Sequence, residues 1–229
     1  MKKNSIFITG GTGFIGNHFI NYFSKEYKYV INFSRNDIVN IISFNKRKKI
    51  NIKNFNLKKY KAEHLVNMAT FYEPSPKNYT NLYKIIKANI IFPSKLLKYI
   101  NSNNLVLINF SSSLQLSSFK FQNEYSLSKQ IFQVYSKNHF KMVSNIYLYD
   151  TFGNNDQRRK VVDTFIEKII SGRDIIIPKN DVTINLSHID DLLFSIKKSF
   201  FKLKQDNYII KSRHNITLFH LAEMLIKII

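Results

Sequence analysis

The segment that most constrains this chain lies at its start, where the apolar run SIFIT (residues 5–9) enters the glycine-rich stretch TGGTGFIG at residues 9–16. Gly10, Gly13 and Gly16 have the spacing GxxGxxG. The run ahead of them reads as a buried strand. Behind them, Phe14, Ile15, Phe19, Ile20 and Phe23 share one face of a helix predicted over residues 14–22. A strand that turns through glycines into a helix presents the helix's first free N–H groups and a partial positive charge to solvent. Gly10 permits the tight turn, Gly13 lets an anion approach the backbone, and Gly16 lets the helix lie close to the sheet. In this strand–loop–helix context the anion is the pyrophosphate of a dinucleotide, with Gly10, Gly13, Phe14, Ile15 and Gly16 as its expected contacts.

Beyond the loop, short apolar runs alternate with longer helical patterns. Strands are expected at residues 29–33, 49–52 (weakly), 64–68, 105–110 and 146–149. Helical patterns cover residues 81–100, with a kink expected at Pro93, and residues 124–138. Strands apolar on both faces, alternating with helices, imply an α/β fold with a doubly wound parallel sheet. The 229 residues suit one domain of this kind.

Composition removes several function classes. There is no cysteine, so disulfides and thiolate metal sites are excluded. The apolar run at Ile6, Phe7 and Ile8 falls short of the about 7–15 residues of a secretory signal, and no stretch approaches a membrane span. A cytoplasmic, soluble protein is expected. The net charge of +20 comes from lysines scattered along the chain, with only Lys46, Arg47, Lys48 and Lys49 in a tight run. Asn, Ile and Phe are enriched alongside Lys, so a compositional bias accounts for the charge better than a nucleic-acid partner does. Asp190 and Asp191 read as a cap of the helix at residues 192–200 and His188 as structural; no metal site is expected.

The second strand runs into YVINFSRND. Ser34 and Arg35 stand where an acid would bind the ribose 2′-OH, and Asp37 comes late. A cation there suits a 2′-phosphate, which favours NADP(H) over NAD(H). Further on, residues 111–113 are serines that follow an apolar strand, and YSLSK places Tyr125 and Lys129 at i and i+4 on one helical face. Strand ends of such sheets line the ligand crevice. Reducing a ketone needs an acid for the carbonyl oxygen and donors for its developing charge. A tyrosine with a pKa near 10 can serve when a cation favours its phenolate. No histidine lies nearby in sequence to activate a nucleophile, which argues against hydrolysis. Arg158 and Arg159 could clamp an anionic diphosphate.

Taken together, TGGTGFIG, HLVNMAT, the serines and YSLSK resemble the extended short-chain dehydrogenase/reductases, the NAD-dependent epimerase/dehydratase proteins that act on nucleotide sugars. The resemblance implies a Rossmann-type core over residues 1–150 and a small substrate lobe over 151–229, with 184–200 returning to the core. It places Met68, Ala69 and Thr70 along the cofactor and gives Asn89 the support of the active-site lysine through water. It makes Ser113 the catalytic hydroxyl, with Ser111 nearer the cofactor and Ser112 as runner-up beside the substrate, Tyr125 the acid–base and Lys129 its activator. A homodimer through helices including the one with YSLSK is a further expectation. The chain departs from the family's usual residues at Asn54, at Asn67 and in NIYLYD, which lacks an arginine. ATFY, KANIIFPSKLL and LYDTFGNNDQRRK resemble most the CDP-abequose and CDP-paratose synthase branch. The implied function is NAD(P)H-dependent reduction of the 4-keto group of a CDP- or dTDP-linked deoxysugar, for surface polysaccharide synthesis. A NAD-dependent 4-epimerase is the alternative. A dehydratase is disfavoured because SSSLQ carries no carboxylate beside the hydroxyl. A non-catalytic NADP- or nucleic-acid-binding module is the alternative of another class.

Overall fold

A run buried on both faces must become a central strand, and residues 5–9 do: all five are buried. The computed structural model describes residues 3–43, 46–73, 76–100, 102–117, 123–200, 202 and 204–229. Its elements begin β1 (Lys3–Thr9), α1 (Phe14–Phe23), β2 (Tyr27–Phe33), β3 (Ile38–Ser43), β4 (Lys46–Asn51), β5 (Ala62–Asn67), α2 (Tyr79–Ile86) and α3 (Phe92–Leu96). They continue with β6 (Val106–Ser112), α4 (Glu124–Ser136), β7 (Met142–Leu148), β8 (Asp150–Phe152), α5 (Val161–Ile170), β9 (Thr183–Ile184) and β10 (Leu186–His188). The last are α6 (Ile189–Ser199), β11 (Asn207–Ile210), β12 (Ile216–Thr217) and α7 (Leu218–Ile228).

The chain divides into two compact units, residues 1–147 with 199–209, and residues 148–198 with 210–229. The first holds an eight-stranded sheet in the order β11-β7-β6-β5-β1-β2-β3-β4. β1 pairs in parallel with β2 and β5, and β5 with β6, which gives the expected α/β core. The β2 side differs from the doubly wound expectation. Residues 38–43 form a strand that the sequence reading missed, and β3 and β4 run antiparallel to their neighbours. Only residues 34–37 separate β2 from β3, far fewer than the dozen or so that a parallel crossover needs. The β4–β5 connection carries two short 3₁₀ turns instead of a long helix. Phe55 covers the sheet there, packed edge-on against Phe7 and Phe33 and stacked on Tyr60 at 5.3 Å.

The expected kink at Pro93 takes a specific form. Between α2 and α3 the residues Lys87–Ile91 widen into a π turn, and the Phe92 N–H reaches back to the Lys87 carbonyl. In a regular helix the Pro93 ring would collide with the carbonyl of Asn89; the wider turn relieves this. In the second unit, α5 and α7 bury Val162, Phe165, Leu221 and Ala222 together. There, Asp190 and Asp191 lie within the first turn of α6, and the Asp190 N–H is accepted by His188 Nδ1 at 3.3 Å. The histidine, not the acidic pair, therefore supplies the cap. Among the described residues no helix is long and apolar enough to cross a membrane, and no acidic or histidine cluster could hold a metal ion.

A line of polar side chains, buried up to its exposed last member Asn207, crosses the sheet of the first unit. Thr9 Oγ1 donates to Asn67 Oδ1 (2.6 Å), Asn67 to Asn109 (2.9 Å), Asn109 to Asn145 (3.2 Å) and Asn145 to Asn207 (3.1 Å). The residues come from β1, β5, β6, β7 and β11, and Thr9, Asn67 and Asn109 are direct neighbours in register. Asn109→Leu keeps the volume but strands the Asn67 amide donor and the Asn145 carbonyl acceptor in the interior. The expected loss is about 2–5 kcal/mol of unfolding free energy, read from urea denaturation at constant m.

Candidate active site

The glycine loop shows which of its glycines the fold itself requires. Gly10 has φ +73°, and a Cβ there would meet the backbone of Met68 and Ala69 at 2.6 Å. A Cβ on Gly16 would lie 2.1 Å from the Gly10 carbonyl oxygen. Gly13 differs. Its φ of −80° is open to any residue, and a Cβ would meet only the Gly10 oxygen, at 3.4 Å. It is exposed at the N-terminus of α1, with Phe14 and Ile15 half-buried in the first turn. An anion can therefore reach the backbone at Gly13, where nothing in the protein demands a glycine. This fits the pyrophosphate of a dinucleotide. Sequence reading passed over Asn32, which supports the loop from below by accepting the Gly11 N–H at 3.0 Å.

The turn from β2 to β3 carries Ser34 and Arg35. Ser34 is closed into the turn by its N–H to Ile38 and by Asn40 Nδ2 on its hydroxyl (3.0 Å). Arg35 is exposed beside it. Asp37, at φ +60°, has both carboxylate oxygens bound by Lys95 Nζ at 2.7 and 2.8 Å.

At the end of β5, Met68 and Ala69 are buried and Thr70 is exposed. The Ala69 N–H donates to Thr9 Oγ1 at 3.0 Å, which fixes this segment against the root of the glycine loop. Asn89, on the π turn, holds the residues that follow. Its Oδ1 accepts the Phe71 N–H (2.8 Å) and the Thr70 hydroxyl (3.2 Å), and its Nδ2 donates to the Phe71 carbonyl (3.2 Å) and to Ser128 Oγ (2.9 Å). Its direct partners are thus the strand-end segment and, through Ser128, the helix α4. Ser128 was missed from the sequence, although it lies three residues from Tyr125 and next to Lys129.

The three serines have three different positions. Ser111 is buried at the end of β6 and accepts from Asn109 Nδ2 at 3.4 Å. Ser112 caps the 3₁₀ turn Ser113–Leu116, accepting the Leu114 N–H while its own N–H donates to Gln115 Oε1. The Ser113 hydroxyl is half-buried and has no hydrogen-bond partner among the described residues. Of the residues between the serines and Tyr125, 114–116 belong to this turn and 118–122 lie outside the described ones.

Helix α4 starts where its cap dictates: Asn123 and Ser126 form a reciprocal capping box. This puts Tyr125 in the first turn, where the helix dipole favours negative charge on a phenol. Tyr125 is 7% exposed, with Tyr72 edge-on at 4.8 Å. One turn later Lys129 is buried, and its ammonium donates to the carbonyls of Phe110 (3.1 Å) and Ala69 (3.5 Å). These carbonyls end β6 and follow β5, so the lysine ties two strand ends to the helix. Burial lowers its pKa from 10.5 to about 8. The set places a phenol, an ammonium and a hydroxyl at one strand-end edge, the groups a carbonyl reduction uses.

Arg158 and Arg159 belong to the second unit. Arg158 is already engaged: Nε and Nη2 bind Asp156, and Nη2 also donates to the Thr151 carbonyl at 2.7 Å. Arg159 is exposed at φ +51°.

The model of the NAD dependent epimerase/dehydratase family matches residues 6–198. A CDP-abequose synthase of Yersinia pseudotuberculosis is 29% identical over 205 residues, covering 83% of this chain and 71% of that protein. Solved structures share the fold at low identity. The UDP-N-acetylglucosamine 4-epimerase of Methanobrevibacter ruminantium, in complex with UDP-N-acetylmuramic acid, aligns at TM-score 0.76 and 17% identity, over 98% of this chain and 81% of that one. The dTDP-glucose 4,6-dehydratase of Bacillus anthracis, in complex with NAD, aligns at 0.72 and 17%, over 98% and 80%.

The buried lysine has a consequence for stability. Its folded pKa lies below its unfolded one, so between about pH 8 and 10.5 the unfolded chain binds the proton that the folded chain has lost. Stability from this group rises with pH across that window, by up to roughly 3 kcal/mol. Relative to Lys129→Met, the wild type should gain unfolding free energy from pH 8 to pH 10, measured by urea titration at each pH.

Proposed function

We propose that this chain, which belongs to the NAD-dependent epimerase/dehydratase family, reduces the 4-keto group of a nucleotide-linked deoxysugar with NADPH. The observation that carries the reading is the sorting of the three serines. Ser111 and Ser112 are committed to the protein, and Ser113 alone keeps a hydroxyl for a ligand, on a turn that packs against α4. NADPH, when bound, supplies the hydride. Ser113 hydrogen-bonds the substrate's carbonyl oxygen, Tyr125 delivers the proton to that oxygen, and the Lys129 ammonium stabilises the phenolate that remains. Below about pH 8 that ammonium is present, which matches its task. Asn89 holds the strand-end segment at residues 70–71 to the helix that carries both groups.

Reduction is favoured over dehydration by what stands beside Ser113. Leu114 is apolar, and Gln115 turns its amide to the Ser112 N–H and to Gln133. Among the described residues of this turn there is no carboxylate to remove a proton from the sugar. NADPH is favoured over NADH because Arg35 is exposed at the end of β2 while Asp37 is held by Lys95. The likeness to a CDP-abequose synthase favours a CDP-linked substrate. In the second unit the Arg158 fork is filled by Asp156, so of the two arginines Arg159 is the one open to an anion.

With a panel of CDP- and dTDP-linked 4-keto-deoxysugars, the protein should oxidise NADPH, followed at 340 nm. Tyr125→Phe should lower turnover by about 10²–10⁴-fold and leave NADPH affinity within about twofold. Normal turnover by that variant, or interconversion of 4-epimers without net NADPH consumption, would refute the assignment. Arg35→Ala should weaken NADPH binding by roughly tenfold and NADH binding little, since a charged hydrogen bond contributes about 1.5–3 kcal/mol; equal losses for both would remove the 2′-phosphate contact.

A further inference from the structure

The turn that presents Ser113 is short, and one of its side chains, Gln115, ties it to helix α4. Gln115 uses both ends of its amide: Oε1 accepts the Ser112 N–H at 2.9 Å, and Nε2 donates to Gln133 Oε1 at 3.0 Å. Gln133 is buried on α4, and its own amide lies against the buried Tyr147 hydroxyl of β7, 2.9 Å from Nε2 and 3.1 Å from Oε1. Tyr125, Lys129 and Gln133 stand at i, i+4 and i+8, so one buried stripe of α4 carries all three.

We propose that Gln115 and Gln133 form a clasp that fixes the Ser113 turn against the stripe of α4 bearing Tyr125 and Lys129. Gln115 is thereby a positioning residue for the proton transfer; this role rests on the reading of Ser113 and Tyr125 given above. A four-residue 3₁₀ turn has few hydrogen bonds of its own, and its geometry is weak. Ser113 and Tyr125 must meet the same substrate oxygen, and a displacement of 1 Å at such a pair can cost about a hundredfold in rate. The clasp removes that freedom by tying the backbone one residue before Ser113 to the helix two turns after Tyr125. The sequence places Gln115 and Gln133 eighteen residues apart, so nothing local marks them as partners.

The chemistry of the clasp makes its conservative variant informative. In Gln115→Glu, one carboxylate oxygen still accepts the Ser112 N–H. The other requires a donor, which Gln133 supplies by rotating its amide, because the Tyr147 hydroxyl can face either end as acceptor or donor. Gln115→Leu keeps the bulk and loses both bonds.

Two readouts separate the clasp from the reaction. Hydrogen exchange should show the Ser112 amide exchanging about tenfold faster or more in Gln115→Leu, and near the wild-type rate in Gln115→Glu. With whichever ketosugar the wild type reduces, Gln115→Leu should lower kcat by roughly ten- to a hundredfold at unchanged NADPH affinity. Gln115→Glu should recover most of that loss. The Gln115→Leu/Gln133→Leu double variant should lose no more than the worse single one. An unchanged Ser112 exchange rate overturns the clasp, and faster exchange at full kcat overturns its positioning role. A wild type that reduces no ketosugar overturns the proposed reaction and leaves the clasp decided by exchange alone. Gln115→Ala carries the same comparisons should the leucine variant not fold.

Discussion

The polar line across the strand ends is the constraint on which the rest of the first unit depends. From the Ala69 N–H through Thr9, Asn67, Asn109 and Asn145 to Asn207, every bond donates in the same direction. Such a chain polarises along its length, so each bond strengthens the next. Its net contribution is modest, but breaking it is not, because each orphaned amide costs about 1–3 kcal/mol in an interior without water. A slip of one residue in any of these strands would turn its asparagine to the other face and break the line. The line therefore sets the register of β1, β5 and β6. With register set, Gly10, Met68 and the serines all leave the sheet at one level. That shared level brings three strand ends to one edge of the sheet.

The departures from the family's usual residues then have a physical reading. Asn67 sits in the middle of the line, both accepting from Thr9 and donating to Asn109. Tyr147, in the strand that lacks an arginine, meets Gln133 instead. These positions hold neutral hydrogen-bonding groups, and neutral groups can be buried in a connected network without the desolvation cost of a charge. Lys129 is the exception, and its lowered pKa measures the difference. Its ammonium is met by backbone carbonyl oxygens, those of Phe110 and Ala69.

What the sequence revealed was what is local. The glycine loop declares itself because strand, turn and helix follow within about a dozen residues, and YSLSK because i and i+4 share a face. The strand at residues 38–43 was hidden by its neighbours. IVNIIS is apolar enough for a strand, but a four-residue turn before it excludes the helix that a parallel sheet would place there. Asn67, Asn109 and Asn145 are spaced by 42 and 36 residues, and only the order of the strands makes them neighbours. An asparagine inside a buried strand was nonetheless a legible signal, since it must find a partner. Asn32, Asn67 and Asn109 each interrupt such a run, and reading them together would have pointed to a cross-strand line.

The choice among the serines shows how a site becomes visible when structural roles are subtracted. Sequence alone leaves Ser111, Ser112 and Ser113 chemically identical. In the fold, Ser111 accepts from Asn109 and Ser112 from the Leu114 N–H, while the Ser113 hydroxyl has no partner among the described residues. The same subtraction applies to the glycines, where Gly10 and Gly16 answer to close backbone contacts and Gly13 does not. It applies again in the β2–β3 turn, where Lys95 binds both carboxylate oxygens of Asp37 and Arg35 is exposed. In each case the residue that folding leaves unexplained is the one a ligand would explain. Gly13 and Ser113 follow strands that one polar line holds in register, and Arg35 follows β2, the parallel neighbour of β1, so their coincidence is a property of the sheet and not of any single motif.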